Sequence, residues 1–205
     1  MSLASKIINI FNSIIRYLYF PCRKFRYKSI YLSCVINRTN SITPEYVSCG
    51  ERVQIGFNAR IQGIKQYNEV VFSPKIILED NVSIQQNVHL TCANSVFIGK
   101  NTAIAANVTI TDIHHPYTDI NVPIEKQNID VGFVHIGEDC KIYNNAVILP
   151  NVTIGKHVTI GANCVVNKDI PDYCVVVGIP AKIIKRYDFD TQTWRKTNSQ
   201  GLFID

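Results

Sequence analysis

The sequence predicts an all-β solenoid of short parallel strands, with an amphipathic helix before it and a short tail after it. Three patterns carry that prediction: an aliphatic residue every six positions, a column of small residues in step with it, and a cationic helical segment at the N-terminus. From Leu78 the aliphatic series runs Leu78, Ile84, Leu90, then after a two-residue slip Ile98, Ile104, Ile110. It resumes in phase at Ile136 and continues through Ile142, Ile148, Ile154, Ile160 and Val166. Four positions after these residues stand Val82, Val88, Thr102, Val108, Cys140, Ala146, Val152, Val158 and Cys164, all small or β-branched. A helix repeats at 3.6 and a plain strand at 2, and neither sustains a period of six. The next aliphatic lies two residues beyond each small one, so both point to one side of a short strand. Gly, Asn and Asp fill the positions between, where tight turns are expected. Rungs of this kind stack about 4.8 Å apart and bury their inward columns in one continuous core. A weaker block opening at Ile55-Gly56 is out of phase with the rest.

With 205 residues, 46% hydrophobic and 18% charged, the chain is one globular domain, or a domain with a small appendage. No apolar run approaches the roughly 20 residues of a membrane-spanning helix. The net charge of +5 is local: six of the 21 Lys and Arg fall in the first 28 residues, and the first acid is Glu45. Residues 29–205 hold 15 basic against 16 acidic groups. The body therefore lacks the basic surface of a general nucleic-acid binder, and no nucleic acid is expected as a partner. Seven cysteines, an odd number without a C-x-x-C and without a signal peptide, suit reduced thiols in a cytoplasmic protein. Cys140 and Cys164 stand in the small inward column and read as core. Of the four N-x-S/T triplets, those at Asn81, Asn107 and Asn151 sit in repeated sequence and read as repeat residues.

The blocks I-G-K-N-T-A, I-G-E-D-C-K and I-G-K-H-V-T resemble the hexapeptide-repeat acyltransferase family over about residues 76–186. That resemblance implies a left-handed parallel β-helix with three hexads per triangular turn, which periodicity alone does not give. The break holding T-D-I-H-H-P-Y, and the run N-K-D-I-P followed by G-I-P-A-K-I-I-K, resemble the branch with galactoside, maltose and polysaccharide O-acetyltransferases. The expected organisation is an N-terminal helix segment over 1–30, a repeat domain over 31–186 with a projecting loop at 112–134, and a tail over 187–205.

Insertions in repeat proteins project as loops on one face, often the binding face. Moving an acetyl group from a thioester to a hydroxyl needs a base that titrates near neutral pH, and histidine is the usual choice. His115, directly before Pro116, matches the family's catalytic histidine. His114 is its competitor or a substrate contact. Asp112 either orients the His115 ring by accepting its second N–H or only caps the turn. Histidines five apart, the ligand spacing of the family's carbonic anhydrases, are absent, so no metal is expected.

By resemblance the donor is acetyl-coenzyme A. Lys182 and Lys185 fall on the family's phosphate-binding positions, and charge-assisted bonds suit that role. The Gly161-Ala162 position matches a site where backbone amides meet the pantetheine arm; Asn167 and Lys168 match further cofactor contacts. At Lys141 the chain departs from the galactoside enzymes, which carry a stacking tryptophan there. On the acceptor side it has Gln85 and Ala93 where those enzymes carry an asparagine and an aspartate. Asn87 and Asn94 could substitute, since amides bond well to sugar hydroxyls, or Asn87 only makes a corner.

Residues 3–20 read as a helix. Ser2, Ser5, Lys6, Asn9, Asn12, Ser13 and Arg16 form its polar stripe, and Ile7, Ile8, Ile10, Phe11, Ile14, Ile15, Leu18 and Tyr19 its wider apolar face. The cationic P-C-R-K-F-R-Y-K that follows makes residues 3–28 a candidate for peripheral membrane contact; the alternative is packing on the solenoid or on a neighbouring subunit. The expectation as a whole is a homotrimeric acetyl-CoA-dependent O-acetyltransferase with active sites between neighbouring coils. Its acceptor would be a sugar or lipid-linked oligosaccharide of surface polysaccharide or lipopolysaccharide synthesis, in the cytoplasm or at the inner face of the plasma membrane. An N-acetyltransferase of an amino sugar or amino acid, and a non-catalytic β-helix scaffold, are the alternatives.

Overall fold

Six-residue spacing bends the chain into a three-sided coil. The computed structural model describes residues 3–198 and 201–204, and its principal sheets have five, nine and six strands. Lys75–Leu78 lies on the first face, Ser83–Ile84 on the second, His89–Cys92 on the third, and Ser95–Ile98 is back on the first. Strands stacked on one face run parallel, with Leu78 beside Ile98, Ile84 beside Ile104 and Leu90 beside Ile110.

Both sequence columns point inward. Every residue of the two is at most 2% exposed, and each fully buried aliphatic side chain contributes about 1.5–3 kcal/mol. Thr102, the polar member, donates its hydroxyl to Gly137 O at 2.8 Å and accepts the Cys140 N–H at 3.0 Å, so it is buried without an unmet group. At the corners the glycines and asparagines divide the work differently from the expectation that both serve turn angles. The left-handed conformation falls on Asn81, Asn101 and Asp139, with φ of 60°, 59° and 57°. Gly99 is needed for close approach, because a Cβ there would meet the Gly137 backbone at 2.6 Å.

Strand register locates the insertions. Ile142 lies beside Ile160, eighteen residues on, which is three hexads to the turn. Leu78 to Ile98 takes twenty, Ile98 to Ile136 thirty-eight, and Cys49 to Leu78 twenty-nine. The surplus leaves the coil each time at the corner where the third face returns the chain to the first: at residues 93–94, in the 112–134 loop, and in residues 64–74. The last of these is a hairpin of Gln66–Tyr67 against Val70–Val71 that the sequence reading did not anticipate. Its eleven extra residues explain why the block at Ile55 is out of phase. Cys49, Ile55 and Ile61 are themselves six apart and buried, and the solenoid reaches back to a bridge between Ser29 and Ser48.

Both ends differ from expectation. The helix α1 spans Leu3–Arg26, six residues longer than predicted, and passes through Pro21. The proline forfeits one backbone hydrogen bond, while Arg23, Lys24 and Arg26 sit in the last turn, where cations complement the helix dipole. The side chains of Ser2, Ser5, Lys6, Ile8, Asn9, Ile10 and Arg16 lie outside the described residues. At the other end the boundary between 186 and 187 falls inside a strand, Lys182–Asp188. This strand turns antiparallel onto Cys174–Val177 and pairs with Thr193–Lys196, so the expected tail begins as a hairpin that closes the nine-stranded face.

Candidate active site

The corner that collects the insertions also holds the loop histidines. Thr109–Thr111 ends on the third face, and Ile113–His114 then pairs antiparallel with Asp130–Val131, so a short ribbon closes the base of the loop. His115 and His114 are both exposed and take different neighbours. The His115 ring stands edge-on to Tyr67, with centroids 5.4 Å apart at 78°; His114 lies 6.0 Å from Tyr117. Adjacent residues of an extended segment point to opposite sides, which accounts for the split.

Tyr67 ties the unforeseen hairpin to this loop. Its hydroxyl donates to Glu125 Oε2 at 2.9 Å and lies 3.1 Å from the Glu125 carbonyl oxygen. Desolvation and the Glu125 carboxylate both raise the Tyr67 pKa, which keeps the hydroxyl a donor. The Asn68 amide, at a hairpin residue with φ 50°, reaches the carbonyls of Lys126 and Gln127 at 3.3 Å each. His115 is thus carried between two excursions from the coil that hold each other. The available signal for Tyr67 was the eleven-residue phase break.

Asp112 takes the capping role that the sequence left open beside the orienting one. It is fully buried, and its Oδ1 accepts the Ala93 N–H at 2.8 Å. Its Oδ2 accepts those of Asn94 and Ser95, both at 2.8 Å. The carboxylate therefore pins the two-residue slip of the turn below. Asn94 also serves the corner, its amide donating to Gly132 O at 2.7 Å.

Asn87 takes the corner role that the sequence also left open. It has φ 57° at the corner between the second and third faces. Its amide donates to Asn107, which donates to Asn145, which donates to Asn163, each at 3.1 Å. That ladder makes it a corner residue. Gln85, at the same corner, is exposed and makes a 3.4 Å contact with Ser83. Both lie on a different edge of the coil from His115.

The proposed cofactor residues gather at the C-terminal end. Gly161 donates its N–H to Val176 O at 2.8 Å, and Val177 pairs with Lys182, which joins the Ala162 corner to Lys182. Lys185 pairs with Val175 on the same sheet. Asn167 and Lys168 follow Val165–Val166 at the next corner; all five residues are exposed. Lys141, where the resemblance expects a ring, has its Nζ 5.5 Å from the centroid of the exposed Tyr143. Among the described residues, no three His, Cys, Asp or Glu side chains converge as a metal site would require.

Residues 133–168 match the family model for the bacterial transferase hexapeptide, six repeats. Over 188 residues the chain is 34% identical to the putative lipopolysaccharide biosynthesis O-acetyl transferase WbbJ of Escherichia coli K12, covering 88% of this chain and 87% of that protein. The chain belongs to the hexapeptide-repeat acyltransferase family. It is also 37% identical over 102 residues to the galactoside O-acetyltransferase of E. coli K12, about half of each chain (48% and 49%). Among solved structures, that of the N-acyltransferase AntD from Bacillus cereus superposes with a TM-score of 0.68 at 19% identity, covering 83% of this chain and 90% of that one. The shared fold is the left-handed parallel β-helix, and membership of the family makes this protein an acyltransferase.

Proposed function

We propose that the protein transfers the acetyl group of acetyl-coenzyme A to a sugar hydroxyl in lipopolysaccharide or surface polysaccharide biosynthesis. The observation that carries this reading is the placement of His115. It projects from the one corner where the coil's insertions converge, with its ring against Tyr67. The WbbJ relative, similar over most of both chains, supplies the acceptor class.

In this mechanism the neutral His115 ring takes the proton from the acceptor hydroxyl as its oxygen attacks the thioester carbonyl. A backbone N–H of the coil stabilises the oxyanion of the tetrahedral intermediate. Collapse expels coenzyme A as its thiolate, which takes the proton from His115, leaving the acetyl ester and a neutral ring. No covalent enzyme intermediate is needed. Lys182 and Lys185 bind the cofactor phosphates, and Ala162, Asn167 and Lys168 line the path of its arm. Tyr143 offers a ring near the position where the galactoside enzymes carry a tryptophan.

Gln85 lies on a different edge from His115, so the reading includes a homotrimer in which the edge of one chain meets the loop of the next. It also places the reaction in the cytoplasm, at the membrane face where a lipid-linked oligosaccharide acceptor would be presented. The first test is calorimetric titration of acetyl-coenzyme A into the wild-type protein beside Lys182→Ala/Lys185→Ala. Micromolar binding weakened in the double variant is expected, and no saturation at millimolar ligand would overturn the reading. His115→Ala should then lower turnover by at least ~100-fold with cofactor binding unchanged; an alkali-labile product would mark an ester instead of an amide.

A further inference from the structure

The helix α1 meets the solenoid with the side opposite its apolar stripe. Phe20 and Tyr27 pack against the core, and between them Arg23 donates to Ile36 O at 3.2 Å. Steps of three, four and seven residues place these three side chains on one side, Tyr27 lying one residue past the end of α1 with its N–H still donating to Arg23 O at 3.0 Å. Ile7, Phe11, Ile14, Leu18 and Phe25 follow the same steps on the other side. They are 58%, 61%, 52%, 67% and 92% exposed. At 100° per residue, Leu18 and Phe20 point about 160° apart. The coil therefore leaves the apolar stripe uncovered, and packing on this chain's own solenoid, one of the two sequence-based alternatives, does not describe it.

The charge around the stripe has one sign. Lys24, Arg26 and Lys28 are exposed and flank Phe25, and no Asp or Glu precedes Glu45. Lys28 also lines a groove of about 560 Å³ in which Lys65 and Lys75 outnumber the single acid Glu45, and whose lining includes Phe72 and Ile76. No helix of the described residues is long and apolar enough to cross a membrane. An apolar stripe with a cationic border suits a surface that is apolar inside and anionic outside, entered to a depth of about 5–10 Å. A second copy of α1 would set cations against cations with no carboxylate in the segment to offset them.

We infer that α1 docks the protein flat on an anionic lipid surface through Ile7, Phe11, Ile14, Leu18 and Phe25, with Lys24, Arg26 and Lys28 against the headgroups. The inference concerns this helix alone and does not depend on the acetyl-transfer reading.

Full-length protein is co-sedimented with vesicles of phosphatidylcholine, with or without phosphatidylglycerol. Binding is expected to the anionic vesicles and to fall as salt is raised. Lys24→Ala/Arg26→Ala should weaken it about 25-fold, from the usual contribution of a cation near anionic lipid. Leu18→Asp should abolish it while the mass by light scattering and the melting temperature stay at wild-type values. Equal affinity for neutral vesicles, or none for either, overturns the inference. So does a Leu18→Asp variant whose mass falls while vesicle binding persists, since the stripe would then belong to a second copy. Acetyl-coenzyme A titration of the same variants should match wild type, which separates failure of this inference from failure of the acyl-transfer reading.

Discussion

Both carboxylate oxygens of Asp112 are occupied by backbone N–H groups of the rung below, three in all, whereas the His115 ring leans on Tyr67. Two residues of one short motif thus serve different ends, and substitutions should separate them. Asp112→Ala leaves three N–H groups without their acceptor, that of Ala93 in a buried bond and those of Asn94 and Ser95 in half-buried ones, at a cost of about 2–4 kcal/mol. Urea denaturation should show that loss directly as a lower midpoint, and an unchanged midpoint would mean that the turn holds without the carboxylate. His115→Ala removes an exposed side chain and should leave the midpoint within error while turnover collapses. The sequence alone could not sort these roles. Spacing along T-D-I-H-H-P names candidates, but the Asp112 partners lie seventeen to nineteen residues away in the chain, on another rung. Asn87 was ambiguous for the same reason, since its partner Asn107 is a full turn distant.

At the level of elements, the inward columns were legible because each rung repeats one constraint, and the structure buries every residue they named. The hairpin at 64–74 was not. Strands of two residues carry no period of their own, and the surplus they add throws the preceding rungs out of phase. The sequence reading ended α1 at residue 20 because the apolar periodicity stops there, although the cations of the last turn and the docking of Phe20 and Tyr27 favour its continuation through Pro21. The hairpin makes a prediction that belongs to neither excursion by itself. If Tyr67 holds the loop, Tyr67→Phe should lose the Glu125 bonds but keep the ring beside His115. Limited proteolysis within 115–129 should then speed up while kcat changes little. Tyr67→Ala should speed cleavage further and lower kcat as well, with acetyl-coenzyme A affinity unaltered. Equal cleavage rates in all three proteins would leave the loop self-supporting.

Taken whole, the molecule is a stack in which each turn touches only its neighbours, so an end turn has one interface where a middle turn has two. The cysteines sample this stack. Cys34 and Cys49 lie in the first turns, Cys92 and Cys140 in the middle, and Cys164 and Cys174 at the last; all six are buried, while Cys22 is exposed. Burial pushes the Cys140 thiol up to about 11 and raises Cys49, Cys92, Cys164 and Cys174 as well. At pH 8 the reactive thiolate of these groups is therefore scarce, and a labelling reagent waits on opening of the coil. Cys22 should react at once in native protein. In urea below the unfolding midpoint, Cys34 should label before Cys92 and Cys140, because no full turn lies beyond it and Phe20 of α1 and the adjoining Tyr27 pack on the core there. Cys174 should be the better protected terminal thiol, since the strand Lys182–Asp188 extends its sheet and Thr193–Lys196 extends it again. Mass spectrometry of alkylated peptides along a urea series reads this order. Simultaneous labelling of all six would mean that the stack opens as one unit, and that its covalent order has no counterpart in its local stability.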